Sequence, residues 1–323
     1  MSGGERMTRN LGSAIRMIAL DLDGTTLTRG HITPRTRRAL EKAIEKGIPV
    51  VIATGRVFSA LPDDVFRIQG LEYVLTSNGA VITDLRRKDV VYENCISQEA
   101  IQQVAALLRQ NPQFPVEVFT DGMAYIGRPV YEELKAEGPA ASYMSRSYIM
   151  RTRKPVDDIL GFMEDHGARI ENINIHFALD EEKEQMRSLL QQLTDITLTS
   201  SMPHNLEIGG ATTSKASGLA ALSELTGIGL GEIMACGDSP NDMAMLAEAG
   251  FGVAVRNAEP EVLELADAVV PSNEEEGVAY AVERYVLGMS RSLLQLKLLR
   301  LKNRTLSRGR SMARKVLKRN GRK

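Results

Sequence analysis

The chain has 323 residues, 43% hydrophobic and 25% charged, which fits a soluble globular protein of about two domains with cores that need no staple. Two cysteines, Cys95 and Cys236, are too few for a disulfide framework and suit a reducing compartment. With no signal-like N-terminal stretch and no apolar run near the roughly 20 residues of a bilayer span, a secreted mini-protein, a coiled coil and a channel are disfavoured, and the cytoplasm is the expected location.

Residues 1–15 read as a loose polar arm. Met17–Leu20 is a short apolar run ending in Asp21-Leu22-Asp23-Gly24, a buried strand running into a glycine turn. Thr33 as cap, Pro34 in the first turn, and Ala39, Leu40, Ala43 and Ile44 on one face predict a helix that Gly47 ends. Ile48–Ala53 and Tyr73–Leu75 are further buried strands, ending in Thr54-Gly55-Arg56 and Thr76-Ser77-Asn78-Gly79. This alternation predicts a parallel sheet with helical crossovers.

After about Asp84 the rhythm changes. Helices are predicted over Ser97–Gln110, Val156–His166 and Glu181–Leu193, a hairpin over Val116–Thr120 and Met123–Gly127 around Asp121-Gly122, and strands over Ile173–Leu179, Ile196–Ser200 and Asn205–Ile208. Around Ser214 the parallel rhythm returns: helix Lys215–Leu225, strand Glu232–Cys236, helix Asp242–Ala249, and strands Gly252–Val255 and Ala268–Val270. The expected division is an α/β, Rossmann-like parallel-sheet core over 16–83 and 209–288, an inserted α+β module over 84–208, and a tail over 289–323.

Open α/β sheets place ligands at the carboxyl ends of their strands. Asp21 and Asp23 stand at one such end, and Gly24 lets the chain turn beside a bound group. Two close carboxylates do not both ionise cheaply without a cation, so the pair is an acid and nucleophile couple or part of a metal site; the plainer alternative is a solvated Asp-Gly turn. Gly237-Asp238-Ser239-Pro240-Asn241-Asp242 follows another strand. Four aspartates without His or Cys partners favour Mg²⁺ over zinc or copper, although Asp242 by itself could simply cap its helix. The Thr54 hydroxyl and the Gly55 N–H offer donors to a phosphate oxygen. Lys215 starts a helix, where an anion is already favoured; alone it would be an ordinary surface lysine.

These segments resemble the haloacid dehalogenase superfamily, specifically Cof-type phosphatases with a large α+β cap. The matching blocks are Asp21-Leu22-Asp23-Gly24-Thr25-Thr26-Leu27, Ala53-Thr54-Gly55-Arg56, Ser77-Asn78-Gly79-Ala80, Ser214-Lys215-Ala216-Ser217-Gly218-Leu219 and Gly237-Asp238-Ser239-Pro240-Asn241-Asp242-Met243-Ala244-Met245-Leu246. Val253–Ala258 and Glu276–Ala279 match the family's ending, so the resemblance covers residues 16–287. Ser217, where many relatives have Gly, and Arg256 depart from the pattern without removing a catalytic side chain.

The resemblance implies that Asp21 attacks phosphorus and becomes an aspartyl-phosphate, and that Asp23, protonated at the first step, serves as acid and then base. It implies Mg²⁺ on the Asp21 carboxylate, the Asp23 main-chain carbonyl and Asp238. It gives Thr54, Gly55, Lys215 and Asn241 the transferring phosphoryl, Asp242 a supporting role, and Asn78 and Arg56 substrate contacts. The expected substrate is a small phosphorylated metabolite, a sugar phosphate or a phosphorylated cofactor or nucleotide. A phosphosugar mutase on the same scaffold, or a binding protein acting through its tail, are the alternatives. A dinucleotide-dependent reductase is disfavoured, because the first strand leads into Asp-x-Asp rather than G-x-G-x-x-G. His176 and His204 read as exposed, structural histidines.

The net charge of −1 hides an asymmetry. Residues 291–323 hold 13 Lys and Arg and no acid, against 27 basic and 41 acidic residues elsewhere. Leu294, Leu298 and Leu301 have helical spacing. Three readings stand for this tail: a solvated extension, docking on the acidic body or a second subunit, or binding to nucleic acid or an anionic membrane.

Overall fold

The computed structural model describes residues 15–288, so the N-terminal arm up to residue 14 and the basic tail from residue 289 lie outside the described residues. No helix among the described residues is long and apolar enough to cross a membrane.

Fourteen strands among the described residues form two sheets. In chain order they are β1 (Met17–Leu20), β2 (Val50–Ala53), β3 (Tyr73–Thr76), β4 (Val81–Asp84), β5 (Asp89–Glu93), β6 (Val116–Thr120), β7 (Met123–Gly127), β8 (Arg153–Val156), β9 (Ile170–His176), β10 (Ile196–Thr199), β11 (Asn205–Gly210), β12 (Ile233–Gly237), β13 (Phe251–Val255) and β14 (Ala268–Val270). The large sheet has the order β14-β13-β12-β1-β2-β3-β4-β5. Its first six strands are parallel, with Ile18 opposite Val50 and Met17 opposite Ile233; β4 and β5 fold back antiparallel. Every residue of β1, β2, β12 and β13 is buried, which is why their sequences are continuous apolar runs.

The chain moves outward one way from β1 through β2 to β3, and the other way through β12, β13 and β14. The order therefore reverses between β1 and β12, and the crevice beyond their carboxyl ends is the expected ligand position. The helix Pro34–Glu45 forms as the pattern predicts: the Thr33 hydroxyl accepts from Thr36 N at 3.2 Å, Pro34 opens it, and Thr36, Ala39, Leu40 and Ala43 are buried.

The small sheet has the order β10-β11-β9-β6-β7-β8 and is antiparallel except for β7 and β8. Helices Gln98–Arg109 and Ile159–His166 help to cover it, with Ile101, Val104, Leu108 and Met163 in its core.

Three local expectations need correction. Strand β5, placed in the inserted module by the change of rhythm at Asp84, pairs with β4 in the large sheet. Residues 128–155, for which the sequence predicts no element, form helices Arg128–Lys135 and Arg146–Thr152 and all but the last residue of strand β8. The helix predicted from Val156 starts only at Ile159, because Pro155 lies in β8 and Asp158 supplies the cap.

Candidate active site

Four strands of the large sheet deliver polar residues from their carboxyl ends: Asp21 after β1, Thr54-Gly55-Arg56 after β2, Ser77-Asn78 after β3 and Asp238 after β12. Asp21, Asp23, Thr54, Gly55, Arg56, Ser239 and Asn241 line a cavity of about 300 Å³. Its other wall comes from the small sheet and its helices, with Phe119, Tyr148, Arg151, Arg153, Asn174, Asn205 and Glu207.

Below this cavity lies a buried charge cluster. Lys215 is 1% exposed, so it is no surface lysine. Its Nζ donates to Asp21 Oδ1 at 2.6 Å and to Asp242 Oδ1 at 2.7 Å. Asp242 Oδ2 accepts from the main-chain N–H of Asp238 and Ser239 at 2.9 and 3.1 Å. Asp238 accepts from Thr25 Oγ1 at 2.5 Å and Ser239 Oγ at 3.1 Å. Carboxylate oxygens of Asp21, Asp238 and Asp242 lie within 4.8 Å of one another.

Three clustered acids thus have one ammonium among them, bonded to Asp21 and Asp242. Burial, with the Asp242 charge next, pushes the Asp21 carboxyl well above its ordinary range, and the same two causes raise Asp238. The carboxylates on either side hold Lys215 above its usual value against the cost of burial. Asp21 Oδ2 is buried and has no hydrogen-bond partner. Both Asp242 oxygens are tied to Lys215 and the main chain, whereas Asp21 Oδ2 has no partner and each Asp238 oxygen accepts from one hydroxyl only, which leaves those two carboxylates lone pairs for a ligand. An oxygen-only donor set with surplus negative charge fits a hard divalent cation. Gly24 makes this approach possible: at φ +77° it brings the turn against Asp238, and a Cβ there would stand 2.3 Å from Asp238 Oδ2.

Asp23 sits apart from the three clustered acids. Its carboxylate takes a bidentate pair from Arg56, Nε to Oδ2 at 2.7 Å and Nη2 to Oδ1 at 2.6 Å. The Arg56 guanidinium also lies over the Tyr148 ring, 4.9 Å from its centroid. Asn241 Nδ2 donates to Asn78 Oδ1 at 3.0 Å, which ties Asn241 on the cavity wall to the turn after β3.

Ser217, the departure noted above, has a local role. Its hydroxyl donates to Ser214 O at 2.9 Å and accepts from Ser214 N at 3.0 Å, while Ser217 N donates to Ser214 Oγ at 3.0 Å. The pair closes the start of the helix that carries Lys215. Arg256 pairs with Glu275 at the surface.

His176 needs correction, because it is buried rather than exposed, with Nε2 3.3 Å from Glu117 Oε2. His204 is partly buried. The sequence reading also missed Tyr148, Arg153 and Glu207, which line the cavity, Glu117, which pairs with Arg153, and Glu171, which accepts from Ser77. A signal existed in Glu171-Asn172-Ile173-Asn174-Ile175-His176, whose alternating polar face carries amides and an imidazole rather than the charges of a solvated face.

Residues 18–282 match the haloacid dehalogenase-like hydrolase family. Phosphatase YwpJ of Bacillus subtilis is 31% identical over 287 residues, covering 83% of this chain and 99% of the relative. The 5-amino-6-(5-phospho-D-ribitylamino)uracil phosphatase YwtE of the same organism is 31% identical over 295 residues, covering 85% and 99%. Among solved structures, a haloacid dehalogenase-like hydrolase from B. subtilis superposes with TM-score 0.71 at 30% identity, covering 83% of this chain and 99% of that one. The Bacteroides thetaiotaomicron phosphatase BT1666 gives TM-score 0.69 at 27% identity, covering 88% and 99%. The chain therefore belongs to the haloacid dehalogenase superfamily, as a phosphoric monoester hydrolase of the Cof type.

Proposed function

We propose that the chain hydrolyses a small phosphorylated metabolite in two steps, with Mg²⁺ as its cation. The observation that carries this reading is Asp21: a buried carboxylate at the floor of the cavity, held by Lys215 through one oxygen and without a protein partner on the other. A nucleophile needs that free oxygen and fixed orientation.

Asp21 Oδ2 attacks phosphorus, the P–O bond to the leaving group breaks, and the phosphoryl stays on Asp21. Asp23 gives its proton to the departing alkoxide. As a carboxylate it then takes a proton from the water that attacks the aspartyl-phosphate, releasing inorganic phosphate and restoring Asp21. The bidentate Arg56 contact suits this second half, in which Asp23 acts as a base. The Thr54 hydroxyl, Gly55 N–H, Lys215 Nζ and Asn241 amide hold phosphoryl oxygens, and Asp242 aims Lys215. Mg²⁺, held by Asp21, Asp238 and the Asp23 main-chain carbonyl, would supply the positive charge that lets an anionic nucleophile meet an anionic phosphate. The small sheet acts as a lid that excludes water from the cavity.

The substrate class is a sugar phosphate or a phosphorylated cofactor or nucleotide. The amide- and hydroxyl-rich cavity wall and the names of the B. subtilis relatives support that range.

Hydrolysis of p-nitrophenyl phosphate by the wild type, its loss in Asp21→Asn, and its loss on chelation with recovery on adding Mg²⁺ are the expected results. Near-normal hydrolysis by Asp21→Asn removes the assignment. A panel of phosphorylated metabolites ranked by kcat/KM then names the substrate.

A further inference from the structure

We propose that Glu171 and Glu207, both on the small sheet, are positioning residues for phosphoryl transfer, acting by holding the Ser77-Asn78-Gly79 turn of the large sheet in the shape that completes the phosphate cradle. The proposal rests on the phosphatase reading above and names how that site is assembled.

The turn is strained. Ser77, Asn78 and Gly79 have φ of 51°, 58° and 89°, three consecutive left-handed residues of which only one is glycine. Such a run persists where its surroundings over-determine it, and it is characteristic of functional positions. On one side it is gripped by the small sheet. Ser77 Oγ donates to Glu171 Oε2 at 2.5 Å, and Asn78 Nδ2 donates to Glu207 Oε2 at 2.5 Å. Both carboxylates are buried. Each is anchored in turn: Glu171 Oε1 accepts from Gly122 N at 2.6 Å, and Glu207 Oε1 accepts from Asn205 Nδ2 at 2.9 Å and from the Ser201 hydroxyl.

On its other side the same turn touches the proposed phosphoryl-holding groups. Ser77 N donates to Arg56 O at 2.9 Å and Asn78 N to Thr54 O at 3.0 Å, so two main-chain bonds stitch it to the Thr54-Gly55-Arg56 loop. Asn78 Oδ1 accepts from Asn241. Gly79 presses on the cap of the Lys215 helix, where a Cβ would stand 2.2 Å from Ser214 O. A Cβ at Gly55 would stand 3.1 Å from Asn78 Oδ1 and 3.5 Å from Glu207 Oε2.

A carboxylate beside a phosphate site repels the substrate unless its charge is occupied. Glu207 is occupied by three donors, one of them the turn itself. Seating the small sheet supplies the two acceptors that the turn needs. Lifting it leaves the Asn78 amide and the Ser77 hydroxyl without these partners, and the loop, the amide of Asn241 and the lysine helix lose a common brace. The cradle is therefore complete only under a seated lid.

The test compares Glu207→Ala, Glu171→Ala, Asn78→Ala and the double variant Glu207→Ala/Asn78→Ala, using p-nitrophenyl phosphate and an alkyl monophosphate. Each single variant is expected to lose kcat by about tenfold to a hundredfold, the scale of a misplaced binding group. The loss should be equal on the two substrates, because the turn serves the phosphoryl and not the leaving group. Inhibition by inorganic phosphate should weaken in parallel. The double variant should be no worse than the poorer single, and Glu207→Gln, whose carbonyl can still accept from Asn78, should recover most activity. Additive losses, unchanged kcat, or a Glu207→Ala loss confined to the alkyl ester overturn the proposal. If an alanine variant at either glutamate does not fold, Ser77→Ala and Asn78→Ala, which remove the same two bonds from the turn's side, carry the comparison. A wild type without turnover sinks the phosphatase reading and this inference together; normal wild-type turnover with additive losses sinks this inference alone.

Discussion

Among the described residues, two buried ionic clusters, one in each sheet region, are built to opposite rules. Beside the large sheet, Lys215 bonds two carboxylates with a third, Asp238, close to both, an Asp21 oxygen has no partner, and Asp21 is pushed toward its neutral form. In the small sheet, Glu117 is fully buried but closed. Arg153 donates to both of its oxygens at 2.9 and 3.0 Å, Asn174 adds a third bond at 3.2 Å, and His176 stands beside them. Burial opposes the Glu117 charge, yet Arg153 and then His176 hold the carboxyl well below its ordinary range. Tyr148 covers Arg153, with the guanidinium 4.6 Å from its ring centroid, and the same ring faces Arg56. On the function proposed above, the open cluster gives up stability for reactivity, and the closed one fixes the wall of the cavity.

The comparison is broken or sharpened most strongly by one substitution made in each cluster. Asp21→Asn should lower turnover by about ten-thousandfold or more, as loss of a nucleophile does. Because it removes a surplus buried negative charge, it should leave the metal-free melting temperature unchanged or raise it. Glu117→Gln should do the reverse in thermal melts. It strands the Arg153 cation in a buried site, and a loss of about 3 kcal/mol is the scale for breaking such a pair. If both variants shift stability in the same direction, the contrast fails.

Acid should act on the closed cluster in a defined sense. Glu117 has a depressed pKa in the folded chain, so its contribution is full above the ordinary value of 4.5 and is lost as pH falls below it toward the folded value. The gap in melting temperature between wild type and Glu117→Gln should therefore narrow from pH 7 to pH 3. A constant gap would show that the charge is not what stabilises the wall. The smallest effect is expected from Ser217→Ala, about 1 kcal/mol for a weakened helix start, read in urea unfolding, with a modest loss of kcat through Lys215.

The catalytic edge was legible because its signals are short. An apolar run, a glycine and an aspartate pair occupy adjacent positions, so a strand end and its polar load are written together at Asp21–Gly24 and again at Gly237–Asp242. The cavity wall was not legible in this way. Glu117 and Arg153 are 36 residues apart, Ser77 and Glu171 are 94, and Asn78 and Glu207 are 129. Each of these acids reads as an ordinary charge on a strand until the other strand is beside it.

By itself, then, the order of residues determined the parallel core strands, their polar ends and the set of acids and lysine proposed above for phosphoryl chemistry, because strand burial and turn formation are decided within a few neighbours. Only the tertiary structure decided which carboxylates are open and which are closed, that β5 joins the large sheet, and that the Ser77–Gly79 turn is held from the small sheet. Those outcomes depend on burial and on partners brought together across sheets, and the balance between desolvation and pairing has no value until the partners meet.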